Sequence, residues 1–219
     1  MNFKLIVFDW DGTLMDSEAK IVDCIQAAFA DLGEPPPNRE ASRNIIGLGL
    51  SEAMAELWPR ANDTQIRQVV DRYRHHFLDT NETPSALFPG ACELVDWLTG
   101  QGYLLAVATG KSRRGLNSAL EGTGLGARFH ATRCADETFS KPHPEMLLQI
   151  MDELGVLRTD TLMVGDTEYD LQMARNAGAG ALAVCHGVHE RERLLEQEPL
   201  DCLEALRDMR PWLERGTAR

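Results

Sequence analysis

Leu5-Ile6-Val7-Phe8 is an unbroken apolar run, and Asp9 follows it with nothing in between. A run of that kind, with no polar alternation, is buried on both faces, as the central strand of a parallel α/β sheet is. Such sheets bind ligands in the crevice beyond the carboxyl ends of their strands. The carboxylate of Asp9 therefore stands where chemistry is expected. Asp11 comes two residues later, and Gly12 permits a sharp turn there. Two carboxylates so close repel each other unless a cation joins them or one keeps its proton. The plainer reading of Asp9-Trp10-Asp11-Gly12-Thr13 is a strand-ending turn in which Asp11 or Thr13 caps a helix.

Between Ser17 and Leu32, apolar residues recur at Ile21, Cys24, Ile25, Ala28, Phe29 and Leu32, one stripe of a helix that Gly33 ends. Glu34-Pro35-Pro36-Pro37-Asn38 is a stiff connector. Arg43 to Ser51 reads as a turn, with Ser51 capping a helix through Leu57, and a further helix is expected over 64–78. No strand is expected between residues 15 and 85. An all-helical stretch set directly behind an α/β strand is an insert, not the next βα unit. From Phe88 the pattern changes, and strands at 103–107, 128–132, 161–164 and 181–184 alternate with helices. Residues 202–212 are expected to close the chain as a helix. The fold class is thus α/β: a doubly wound, mostly parallel five-stranded sheet with an inserted all-helical cap. The core is residues 1–14 and 86–219, and the cap is residues 15–85.

Charge narrows the partners. Asp and Glu number 34 against 22 Lys and Arg, a formal net charge of −12. A nucleic-acid backbone or an anionic membrane needs a basic surface, so neither is expected as a partner. No apolar run reaches the roughly 18 residues a membrane helix needs, and no signal-peptide pattern opens the chain. The five cysteines, at 24, 92, 134, 185 and 202, are odd in number and lack CxxC spacing. They are expected to be buried free thiols in a reducing cytoplasm. A monomer is the default, with a dimer left open.

The other strand ends are polar too. Thr109-Gly110 offers a hydroxyl and an open backbone N–H, both suited to a phosphate oxygen, although a helix N-cap is the ordinary use of such a pair. Lys141 precedes Pro142 and is extended just ahead of a helix, either a fixed charge over the strand ends or a solvated lysine. Asp166 and Asp170 lie four apart across a strand–helix turn and can share a pocket with Asp9, or simply favour a helix N-terminus. Four carboxylates against one lysine leave an excess of negative charge. A hard divalent cation with oxygen ligands, Mg²⁺ above all, would offset it. Arg43, near the Gly47-Leu48-Gly49 turn, is a candidate for an anionic group distal to the reacting one.

Asp9-Trp10-Asp11-Gly12-Thr13-Leu14 resembles the first signature of the haloacid-dehalogenase-like superfamily of phosphohydrolases. The remaining signatures follow in order: Thr109 resembles the second, Lys141 the third, and Gly165-Asp166-Thr167-Glu168-Tyr169-Asp170 the GDxxxD form of the fourth. The helical insert is similar to the small cap of the branch that includes phosphoglycolate phosphatases. The resemblance implies that Asp9 is the nucleophile, forming an aspartyl-phosphate, and that Asp11 is first acid and then base. It implies Mg²⁺ held by Asp9, the backbone carbonyl of Asp11 and Asp166, with Asp170 in support. Thr109, Gly110 and Lys141 would hold the phosphate, with Arg43 and Gly47 as cap residues at the substrate. The implied activity is a Mg²⁺-dependent phosphatase acting on a small phosphorylated metabolite, phosphoglycolate or a sugar phosphate. A phosphomutase shares the first step and stays open. A receiver-like signalling domain would be shorter and lack the insert, and a non-catalytic phosphate-binding protein would not need all four signatures. Gly110-Lys111-Ser112 imitates the end of a P-loop, but Leu105 occupies the required earlier glycine position. Gly178-Ala179-Gly180 precedes a strand instead of following one, which excludes a dinucleotide loop.

Overall fold

A computed structural model describes residues 3–217. Its main sheet contains β1 (Leu5–Phe8), β4 (Leu104–Thr109), β5 (Ala131–Cys134), β6 (Thr161–Gly165), β7 (Gly180–Val184) and β8 (Cys202–Leu203), in the order β5-β4-β1-β6-β7-β8. All neighbours are parallel. The chain builds outward from β1 through β4 and β5, then returns to the other side of β1 with β6, β7 and β8. That reversal puts the crevice of a doubly wound sheet at the end of β1. The sheet has six strands where five were expected. The sixth, Cys202–Leu203, lies inside the stretch expected to be helical, and pairs with Ala183 and Val184. A two-residue strand is too short to show a period.

β1 is fully buried, and its alternation splits the core. Ile6 and Phe8, with Trp10 beyond them, pack with Leu94, Val95 and Leu98 of α5 (Ala91–Gly100) and Leu213 of the last helix, Met209–Thr217. Leu5 and Val7 face Met146, Leu147 and Ile150 of the helix Glu145–Leu154 and Met173 of the helix Glu168–Ala177. Burying an aliphatic or aromatic side chain of this size is worth about 1.5–3 kcal/mol. Four such residues in sequence anchor the segment that ends in Asp9.

The insert consists of α1 (Glu18–Asp31), α2 (Arg39–Asn44), α3 (Leu50–Leu57) and α4 (Asp63–His75), the last extended by a π-turn over His76–Thr80. Gly49, not Ser51, takes the N-cap position of α3. The helices close on their own apolar cluster of Ile25, Phe29, Ile46, Met54 and Val69, which Val188 joins from the sheet side. Contrary to expectation, short strands mark both ends of the insert. β2 (Met15–Asp16) pairs antiparallel with β3 (Ala86–Leu87), so the entering and leaving segments are tied together.

One cysteine expectation is corrected. Cys185 and Cys202 form a disulfide, while Cys24, Cys92 and Cys134 are free. The pairing of β7 with β8 brings together two residues that their spacing in the chain did not connect. Among the described residues, no helix is long and apolar enough to cross a membrane.

Candidate active site

The ladder of β1 continues one residue further, since the Asp9 N–H donates to the Val164 carbonyl at 3.0 Å. The Asp9 side chain is thereby fixed at the strand's end. Trp10 is fully buried against Phe129 in the core, so this aromatic ring anchors the loop between the two acids. Gly12 has φ +83°, and a Cβ there would collide with the Asp166 carboxylate. Both the turn and the close approach require glycine.

Asp9, Asp166 and Asp170 are each buried, with carboxylate oxygens that all lie within 4.8 Å of one another. Lys141, itself buried, holds its Nζ 2.7 Å from Asp9 Oδ1 and 2.6 Å from Asp170 Oδ1. The ammonium is thus shared between two buried carboxylates. The other oxygen of Asp170 accepts from the Thr167 N–H at 3.1 Å and its hydroxyl at 2.7 Å. Asp166 accepts from the Thr13 hydroxyl at 2.7 Å and the Val188 N–H at 2.8 Å. Asp9 Oδ2 is buried with no donor at all.

The electrostatics follow from this crowding. Burial opposes the Lys141 ammonium, but Asp170 and Asp9 outweigh it and raise its pKa above the ordinary lysine value. Burial pushes Asp9 up to about 7 even though Lys141 pulls the other way. Asp166 is held well above the usual carboxylate range, by burial first and then by Asp170 and Asp9. One ammonium does not neutralise three buried carboxylates. The hard oxygen donors of Asp9, Asp166 and Asp170, with the unpartnered Asp9 Oδ2, fit a divalent cation. Asp170 also faces the Lys141 ammonium, whereas Asp166 has only neutral donors, Thr13 and Val188.

Asp11 is engaged differently. Its Oδ1 accepts from the Ser17 hydroxyl at 2.5 Å, and Lys111 Nζ reaches both oxygens, at 2.8 and 2.9 Å. Ser17 sits at the N-cap of α1 but makes no cap bond; its hydroxyl serves Asp11 instead. Lys111 Nζ also lies 4.5 Å from the centre of the Phe77 ring, which belongs to the insert. The sequence reading weighed Lys111 only as part of a failed P-loop. Its place two residues past Thr109 on the same strand-end loop is the signal that could have flagged it. The Lys111 N–H donates to Thr109 Oγ1 at 3.2 Å, which leaves the hydroxyl proton of Thr109 able to point into the crevice.

The insert is closed down on the core. A Cβ at Gly110 would collide with the carbonyls of Gly47 and Leu48, so glycine lets the two backbones meet. Gly49 N–H donates to Ser140 Oγ at 2.6 Å. The Asn44 carbonyl accepts from the Tyr169 hydroxyl at 3.2 Å and lies 3.2 Å from His189 Nε2. His189 Nδ1 accepts from the Glu168 N–H at 3.1 Å. Burial, with Arg193 adding, keeps the His189 pKa below its ordinary value, so a neutral ring with its proton on Nε2 satisfies both contacts. Arg193 completes this dock through the Asn44 side-chain oxygen and Glu168. None of these contacts was anticipated.

Between the two parts lies a small, partly open cavity of about 70 Å³. Asp9, Asp11, Thr109, Gly110 and Gly47 line it, whereas Arg43 does not. The Arg43 guanidinium is occupied 2.8 Å from Glu18 Oε2 and 3.5 Å from Glu190 Oε1.

A family model described as haloacid dehalogenase-like hydrolase matches residues 6–184. The chain is 39% identical over 199 residues to a Dickeya dadantii protein named "Probable phosphatase IndB", covering 89% of this chain and 86% of that one. It is 31% identical over 207 residues to the phosphoglycolate phosphatase of Aliivibrio fischeri, covering 90% and 91% respectively. Among solved structures, a hydrolase from Pseudomonas syringae aligns with a TM-score of 0.88 at 21% identity, over 97% of this chain and 98% of that one. A haloacid dehalogenase-like family hydrolase from Streptococcus pneumoniae gives 0.84 at 24% identity, over 96% and 98%. These two share the fold.

Proposed function

The chain belongs to the haloacid dehalogenase-like hydrolases and is a phosphatase of that family, and from that premise we propose that it hydrolyses a small phosphorylated metabolite with Mg²⁺, through an aspartyl-phosphate. The observation that carries this reading is the buried Asp9 carboxylate, which lines the cavity with Lys141 2.7 Å from its Oδ1, Asp166 and Asp170 beside it, and no donor on its Oδ2.

One Asp9 carboxylate oxygen attacks phosphorus in line as the bond to the leaving oxygen breaks, the other being left to the cation. Asp11, kept in place by Ser17 and Lys111, gives that oxygen its proton. Asp11 then takes a proton from water, whose oxygen attacks phosphorus and releases phosphate and free Asp9. Lys141 neutralises charge on the phosphoryl oxygens from a fixed position, and the Thr109 hydroxyl donates to one of them. Bound by Asp9 and Asp166, with the Asp11 backbone carbonyl, Mg²⁺ would offset the negative charge that otherwise repels a phosphate dianion. Phosphoglycolate, which a relative's name points to, and sugar phosphates are the natural first compounds to assay.

The test is release of inorganic phosphate from p-nitrophenyl phosphate, with Mg²⁺ and with EDTA, in wild type and Asp9→Asn. Mg²⁺-dependent turnover that vanishes in the variant supports the reading. Turnover that survives Asp9→Asn, or that ignores EDTA, overturns it.

A further inference from the structure

We infer that the monoester taken by this site carries an apolar leaving group, and that a carboxylate close to the ester oxygen is selected against. The inference rests on the phosphatase reading and adds the class of substrate. The cavity is continuous from Asp9 and Asp11 into the insert, so what lines its roof must meet whatever is attached to the phosphate. That roof is formed by Ile25, Ile46, Leu48, Met54, Tyr73 and Phe77. Ile25, Ile46 and Met54 are buried in the cap's own core, while Leu48, Tyr73 and Phe77 are half-buried and face the open space.

No cation among these residues stands unpartnered at the apolar roof: Lys111, Arg43 and Arg74 each face a carboxylate, and Lys20 faces a ring. Lys111 is chelated by both oxygens of Asp11, the group assigned to the leaving oxygen. Lys20 lies over the outer side of Phe77, 5.0 Å from the ring centre, and lines a neighbouring depression instead. Arg74 reaches the cavity from its solvent side, 3.4 Å from Asp71, with 43% of its side chain exposed. Arg43 is held by Glu18 and Glu190 away from the cavity. A carboxylate placed among the isoleucines and Met54 would lose its water without gaining a partner, which is costly. Apolar carbon placed there loses nothing and gains burial. Tyr73 adds a single neutral hydrogen-bonding group, since burial, with Asp11 adding, keeps its phenol protonated.

The experiment compares kcat/KM of the wild-type enzyme with Mg²⁺ on isobutyl phosphate and 2-phosphoglycolate, which are similar in shape and differ in the charge of the tail. Isobutyl phosphate is expected to lead by at least roughly tenfold, the scale of a missing charge partner. Along the series ethyl, propyl, butyl and pentyl phosphate, kcat/KM should rise by about fourfold per methylene while the roof still has room. Leu48→Lys should move the isobutyl-to-glycolate ratio toward phosphoglycolate; a ratio does not depend on how much of the variant is active. Phosphoglycolate equal or ahead in wild type, or a flat alkyl series, overturns the inference and leaves the phosphatase intact. No turnover of any ester, p-nitrophenyl phosphate included, overturns both together.

Discussion

The floor and the roof of one cavity are built by opposite means. The floor exposes Asp9, Asp11 and Thr109 to the cavity, and the Asp9 carboxylate is backed by Asp166, Asp170 and Lys141, all withdrawn from water. The roof is hydrocarbon on four short helices, held to the floor by a handful of hydrogen bonds through Asn44 and Gly49. Burying charge is expensive, and it is tolerated here because the fully apolar β1 immobilises the segment that carries it. The roof has no such constraint and can vary its side chains without upsetting the chemistry below. Reaction type and substrate choice are thus housed in different material.

Substitutions on each side should separate these roles. Asp9→Asn removes the nucleophile, and kcat should fall by roughly 10⁴-fold or more in a phosphate-release assay, with the fold intact by circular dichroism. Lys141→Met leaves Asp9 and Asp170 facing each other without their shared counter-charge. Chemical denaturation without metal should show a loss of about 3–5 kcal/mol, as for a broken buried ion pair. Added Mg²⁺ should recover part of it; no loss would mean that the floor does not depend on charge balance. Gly110→Val keeps the floor but pushes against the carbonyls of Gly47 and Leu48. It should lower kcat/KM by about 10²-fold, because small misplacements of this kind are costly, and lower stability by about 1–3 kcal/mol, because backbone must move to admit the side chain. Asn44→Ala removes the side-chain contact with Arg193 and should cost several-fold in kcat/KM, visible in a steady-state comparison. Arg43→Ala ranks last. Its ion pairs are partly exposed, so stability should change by under about 1 kcal/mol and the substrate ranking should not move.

The same division explains what could be read in advance. The strands of the floor announce themselves as apolar runs, and three candidate residues, Asp9, Thr109 and Asp166, stand at their ends, so their positions could be read before any coordinates. Ile21 and Ile25 were equally visible, but as a helical stripe. Nothing in a period of 3.6 tells whether an isoleucine faces only its own core or also borders a ligand's space. Lys111 was hidden because its partner is a hundred residues away, and β8 because two residues carry no pattern. The dock of Asn44 with His189 and Arg193 depends on how two units meet, which local sequence does not encode. Arg43 is the converse case: a cation near the Gly47 turn whose pairing with Glu18, from a different helix, local sequence does not announce.

The ribbon of β2 and β3 has a mechanical consequence. The two segments leading into and out of the cap are zipped side by side, so the lid hangs from a double strap rather than from two loose threads. Such a strap resists sideways wandering and leaves a swing about one line as the easy movement. Asp11 is bridged to Met15 at the head of that strap. The residue proposed to trade a proton with the departing group is thereby mounted on the pivot itself.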